Sequence, residues 1–271
     1  MTDRPLPPPV APAERPAAPA AAEAAGQVMV RQIGASLRGK RFLVAAAATS
    51  LAPLLSLAFR DTSPVILERI VALILVPFLL PLVAVSLGSG LLYDEAEEGT
   101  LTYLFTAPVA RPSILLGKWA AALVAGWAIA FGSLGLTLLL TSVPLDDLGP
   151  FVRSCWIAVL LGTPAYLGVF TLLGALFRRG FLAGLIYAYG YEMVVGYVPG
   201  GAKRLSLLYF LRSLLEPGAP DKQPFEGAFF GLPPEAERTC VVVLSAVAVA
   251  GLVLALLVAP RMEYRARNVQ G

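Results

Sequence analysis

Four carboxylates stand within five residues, at Asp94, Glu95, Glu97 and Glu98. Carboxylates this close could share a hard cation such as Mg²⁺ or Ca²⁺, although the stretch lacks the ligand register of a calcium loop. The chain has no histidine, which excludes zinc-protease motifs and Ser-His-Asp triads. Its two cysteines, Cys155 and Cys240, each open an apolar run and read as small buried apolar residues, not a bridge. No G-x-x-x-x-G-K-[ST] stretch is present: Gly117-Lys118 lacks the upstream glycine and runs into Trp119, so ATP cannot be held here by a P-loop. Glu192 reads as the one acidic residue well inside an apolar run, in a stretch rich in tyrosine that includes Tyr187, Tyr189, Tyr191 and Tyr197. A carboxyl so placed either faces protein or a water-filled pathway, or lies at headgroup level in an aromatic belt. In an α-helix Tyr189, at i−3, shares its face and is the expected hydrogen-bond donor.

The elements that carry these residues are apolar throughout. The chain is 57% hydrophobic and 14% charged, with a mean hydropathy of +0.74, against about 25% charged in a soluble domain. The net charge of +3 makes no case for nucleic acid. Six runs approach or exceed the roughly 20 residues that cross a hydrocarbon core: Phe42–Phe59, Val65–Leu92, Ile114–Val143, Val152–Phe177, Phe181–Pro199 and Thr239–Pro260. Backbone in lipid must bond within its own segment, so each run is expected to be a helix. Pro77 and Pro81 should kink the second. Gly180 and Gly184 form a small-xxx-small pair that permits close helix approach.

The remaining segments are polar or punctuated. Residues 1–26, rich in Ala and Pro, read as a disordered tail. Residues 27–41 place Val30, Ile33 and Leu37 at helical spacing among basic residues, either as an amphipathic interfacial helix or as an extension of the first span. Leu205–Leu215 is apolar but too short to span and reads as a re-entrant or interfacial helix ended by Pro217-Gly218. Lys and Arg near the ends of the spans favour both termini inside, with Arg111, Lys118, Arg178 and Arg179 on inner connectors. The expected fold is therefore all-α and integral to the membrane. It has six transmembrane helices, N-in and C-in, within a domain covering residues 27–271.

The connector between the second and third runs carries an order of residues found in a known family. The acidic cluster is followed by Gly99-Thr100-Leu101, then Pro108-Val109-Ala110-Arg111, then Leu115-Leu116-Gly117-Lys118. This resembles the type-2 ABC transporter permeases, the six-span membrane subunits of bacterial exporters. The resemblance covers Asp94 to Lys118 with some specificity and the hydropathy layout from Phe42 to Pro260 more loosely. It implies a cytoplasmic coupling helix that docks in a cleft of a separate ATPase subunit. On that basis Glu97, Glu98, Gly99 and Thr100 set the end of the second span, and Leu101, Tyr103, Leu104 and Phe105 form the docking knob. It implies no cofactor on this chain, with ATP and Mg on the partner ATPase. It also implies a second permease subunit, identical or related, and a place in the bacterial cytoplasmic membrane. Glu192 and Tyr189 remain candidates for a pathway or subunit interface. Two readings from other classes stand beside it: a membrane enzyme acting on lipids through a metal held by the acidic cluster, and a secondary transporter, which usually shows internal repeats.

Overall fold

The computed structural model describes residues 40–59, 64–91, 111–141, 148–177, 179–197, 201–215 and 234–258. The tail, the 27–39 part of the interfacial segment and the coupling residues Glu97 to Phe105 lie outside these. Among the described residues every regular element is helical. Four helical stretches are long and apolar enough to cross a membrane: Val65–Gly88, Leu115–Leu140, Gly149–Leu176 and Glu237–Val258.

The first run folds as α1 (Lys40–Thr49) and α2 (Leu51–Ala58). Its apolar part, Phe42–Ala58, is shorter than the other rods. Polar groups fasten it sideways. The Ser133 hydroxyl donates to the Thr49 carbonyl at 2.7 Å, and the Ser56 hydroxyl donates to the Thr137 carbonyl at 2.8 Å. Such bonds join helices where no hydrophobic force separates helix from lipid. Their partners lie on α5 (Arg111–Leu140), the third rod.

The second rod begins as α3 (Pro64–Arg69), widens into a π-helical stretch over Ile70–Leu79, and returns to α-helix as α4 (Leu80–Gly88). Pro77 lies inside the π-helical stretch and Pro81 in the first turn of α4. Each proline removes an N–H donor and crowds the preceding turn. Pro77 thus lies in a stretch of i→i+5 bonding, itself a recognised setting for a helix kink. The rod is almost wholly buried and forms the middle of the main core with α6 (Gly149–Leu176).

The fifth run is short and mixed: α7 (Gly180–Leu185), a π-helical stretch Ile186–Tyr191, then α8 (Glu192–Tyr197). Its glycines make the close approach that their spacing suggested. A Cβ on Gly180 would stand 2.6 Å from the Cα of Gly174 and 3.1 Å from the Ser89 carbonyl oxygen. A Cβ on Gly184 would collide with the Val85 side chain. A 3₁₀ turn, Gly201–Leu205, leads into α9 (Leu207–Leu215), and α10 (Glu237–Val258) closes the described chain.

α9 is not an amphipathic helix with one exposed face. Eight of its nine residues are buried, all but Arg212, so the helix sits within the bundle. It rests where Gly162 leaves room: a Cβ there would stand 2.7 Å from Leu80 and 3.0 Å from Leu211. α10 packs on α6 backbone to backbone, since a Cβ on Gly168 would meet the Ala248 carbonyl oxygen at 2.7 Å. The rest of α10 presents Val242, Val249, Val253, Leu254 and Leu257 outward. Apolar side chains exposed all along a helix of this length suit a lipid environment.

Candidate functional site

Glu192 is buried, and both of its carboxylate oxygens are hydrogen-bonded. The residue is 1% exposed. One carboxylate oxygen accepts from the Tyr187 hydroxyl at 2.8 Å and from the Leu207 N–H at 3.1 Å. The other accepts from the Ser206 hydroxyl at 2.6 Å and from the Leu208 N–H at 3.0 Å. All four partners are donors. Two are backbone amides of the first turn of α9, where N–H groups have no partner within the helix and the helix dipole favours a negative charge. Glu192 therefore caps α9 from a distance of fifteen residues along the chain.

The neighbouring side chains extend this fastening. The Tyr191 hydroxyl donates to the Leu205 carbonyl at 3.2 Å. The Tyr187 and Tyr191 rings stack at 5.2 Å, and Phe170 meets Tyr187 edge-on at 6.0 Å. Further along the chain, Arg204 pairs with Glu235 at 2.7 Å and Arg153 with Glu237 at 3.0 Å, tying the approach to α10 to the same end of the bundle.

Tyr189 does not meet Glu192. Its hydroxyl donates to the Phe78 carbonyl at 2.8 Å, and its ring stacks on Phe78 at 5.9 Å. The expected i−3 pairing assumed α-helical phase. The segment from Ile186 to Tyr191 is π-helical, and i→i+5 geometry brings residues five apart onto one face, so Tyr187 supplies the donor. Tyr189 instead links the π-helical parts of the second and fifth segments, at a carbonyl lying between Pro77 and Pro81.

Three ionisable residues of interest were not singled out as site candidates. Glu68 sits four residues into the second run and is 1% exposed, so Glu192 is not alone as a buried acid. Lys203, in the 3₁₀ turn, is equally buried, and Arg212 lies on α9. Burial, and then the Arg212 charge, hold the Lys203 pKa below its ordinary range. Arg212 interrupts the apolar Leu205–Leu215 run, a signal visible in the sequence. Glu68 stands beside Arg69 near the start of its run, where a charge is ordinarily a solvated flank.

Cys155 and Cys240 are both buried free thiols, as their apolar settings suggested. No group of three or more His, Cys, Asp or Glu side chains that could hold a metal ion occurs among the described residues. The acidic cluster Asp94 to Glu98 lies outside them.

Four helices long and apolar enough to span a bilayer define a multi-pass helical membrane protein. The chain belongs to the ABC-2 family of transporter proteins, whose family model matches residues 17–261. It is thus an ABC transporter permease, a transport subunit with transmembrane helices. Over 94 residues it is 36% identical to the probable ABC transporter permease protein NosY of Pseudomonas aeruginosa. That similarity takes in 32% of this chain and 34% of NosY, so the chain spans about a third of that relative.

Proposed function

We propose that this chain is the membrane subunit of an ATP-driven exporter in a bacterial cytoplasmic membrane, with six spans and both termini in the cytoplasm. The observation that carries this reading is the family match over residues 17–261, taken with the connector motif from Asp94 to Lys118. The short first rod and the broken fifth segment count as spans in this reading. Each is bonded to a longer neighbour by side chains, which supports counting it with the rods.

The connector then faces the cytoplasm and meets an ABC ATPase, which binds ATP and Mg. Leu101, Tyr103, Leu104 and Phe105 enter a cleft of that subunit, and Glu97, Glu98, Gly99 and Thr100 set the angle at which the second span leaves it. ATP-driven closure of two ATPase subunits shifts the connector as a rigid body. The second span, buried against the fourth, carries the shift into the interface with a second permease subunit. No bond is made or broken on this chain.

Purification from native membranes tests the reading. A P-loop ATPase should co-purify with the wild-type chain, and its hydrolysis in lipid nanodiscs should depend on the permease. Glu98→Ala should keep the ATPase bound while lowering permease-dependent hydrolysis. Single cysteines at Ser113 and Asp146, in a background without Cys155 and Cys240, should label from opposite sides of the membrane. Absence of any bound ATPase, or labelling of both sites from the outside, defeats the proposal.

A further inference from the structure

The end of the bundle from which the connector leaves contains a buried charge. Lys118 lies on α5, two turns after its start, and is 5% exposed. Its ammonium donates to the carbonyl of Leu91 at 3.2 Å. Leu91 is the last described residue before the connector, in the turn that follows α4, where its N–H in turn donates to the Gly88 carbonyl at 3.4 Å. Leu91 lies three residues beyond Gly88, so the lysine holds a carbonyl of the turn that closes α4, near the negative end of the helix dipole. Around the bond lies an apolar cluster separate from the main core, with Ala45, Leu87, Leu91 and Leu115 among its members. In such surroundings an ammonium bond is worth more than on a wet surface.

The same turn is gripped from its other side. The Ser89 carbonyl lies against Gly174 and Gly180, where the fourth rod ends and the fifth segment begins. A Cβ at Gly174 would collide with that carbonyl. The foot of the second span is thus held by a charge from the third and by bare backbone from the fourth and fifth.

We propose that Lys118 is a positioning residue that pins the two feet of the connector together, so that a displacement of the connector moves the second and third spans as one body. The alternative is a loop whose feet spread when pulled, which loses displacement before it reaches the membrane. Gly174 and Gly180 make the same block continuous with the fifth segment, and through Glu192 with α9 at the far end. The inference rests on the functional reading above, because it needs an ATPase to move the connector.

Lys118→Met fills the same volume without charge, and Lys118→Arg restores charge and donor. Hydrogen exchange on the permease alone, in nanodiscs, reads the pin. The amides of Ser89 and Leu91 should exchange about tenfold faster in Lys118→Met, the scale of one lost charged hydrogen bond, and near the wild-type rate in Lys118→Arg. ATP hydrolysis by the ATPase that co-purifies with the wild-type chain reads transmission. Lys118→Met should retain that ATPase yet lose most permease-dependent stimulation, and Lys118→Arg should recover it. Unchanged exchange in Lys118→Met overturns the pin. Faster exchange with wild-type stimulation overturns its role in transmission. If the wild-type chain binds no ATPase, the functional reading has failed and the transmission role fails with it, while the exchange result still reports on the pin.

Discussion

The fifth segment and α10 solve the same problem in opposite ways. α10 is an uninterrupted apolar rod of 22 residues that packs through the stripe Cys240, Leu244, Ala248, Gly251 and Ala255 and exposes much of the rest. The segment from Gly180 to Tyr197 is shorter, changes helical type twice, and carries a buried carboxylate, three tyrosine hydroxyl bonds and two close glycine contacts. Lipid suffices to hold a helix like α10 across a membrane, and protein contacts must hold one like the fifth. The lesson is that hydropathy and tertiary bonding substitute for each other here. The segment with the weaker apolar signal has the denser polar anchorage.

That contrast predicts unequal responses to substitution. The largest effect is expected at Glu192. Glu192→Leu strands two hydroxyls and two amides in a buried site and should cost about 3–5 kcal/mol, the scale for removing one partner of a buried charged cluster. Thermal unfolding in nanodiscs measures the loss, and hydrogen exchange at Leu207 and Leu208 should show α9 loosening first. Wild-type stability in this variant would mean that the carboxylate is not what seats α9. Glu192→Gln should also be destabilising, though less so: the hydroxyls of Tyr187 and Ser206 can turn to accept, but either way round the amide nitrogen faces a backbone N–H, of Leu207 or Leu208.

Next comes the stripe on α10. Gly251→Ala puts a Cβ about where the Gly168 backbone stands, at 2.5 Å from its carbonyl carbon. Overpacking of this kind costs about 1–3 kcal/mol, read again as a shift in unfolding temperature. A neutral outcome would show that α10 can slide on α6, which would deepen the contrast between the two segments.

The tyrosines give a finer test. Tyr187→Phe removes a donor to a charged acceptor, a loss of about 1.5–3 kcal/mol, whereas Tyr189→Phe removes one to a neutral carbonyl, about 0.5–1.5 kcal/mol. Paired unfolding curves of the two variants should keep that order. Reversal would argue that the Ile186–Tyr191 stretch is in α-helical phase, with Tyr189 beside the carboxylate after all. The smallest effect belongs to the outward face of α10: Val253→Ala, at a side chain that touches little protein, should stay within about 0.5 kcal/mol of wild type.

Much of the architecture was legible in the residue pattern. The long rods follow from apolar runs whose backbone has no bonding choice in lipid but the helix. The short Leu205–Leu215 stretch was recognisable as non-spanning, and it forms the helix Leu207–Leu215. Gly180 and Gly184 announced a close approach, and the structure supplies Gly174, Ser89 and Val85 as what they approach. Tyr189 does not pair with Glu192 because the α-helical repeat fails from Ile186 to Tyr191, and a few π-helical residues move every later side chain to a new face. Glu68 is buried although a charge at the margin of a run is ordinarily a solvated flank.

By itself, the sequence determined that this protein is helical, apolar enough for lipid, and cut into rods by connectors, because hydropathy and backbone satisfaction are local properties of a segment. It also held the residues that place the chain in its family. Tertiary structure alone decided that Glu192 would cap a helix fifteen residues away, that α9 would lie inside the bundle, and that Lys118 would reach the Leu91 carbonyl. The reason is that a hydrogen bond between distant segments depends on where each rod stands and how its face is turned. Those quantities are set by packing among all the rods together, through glycine contacts and changes of helical type that no single segment encodes.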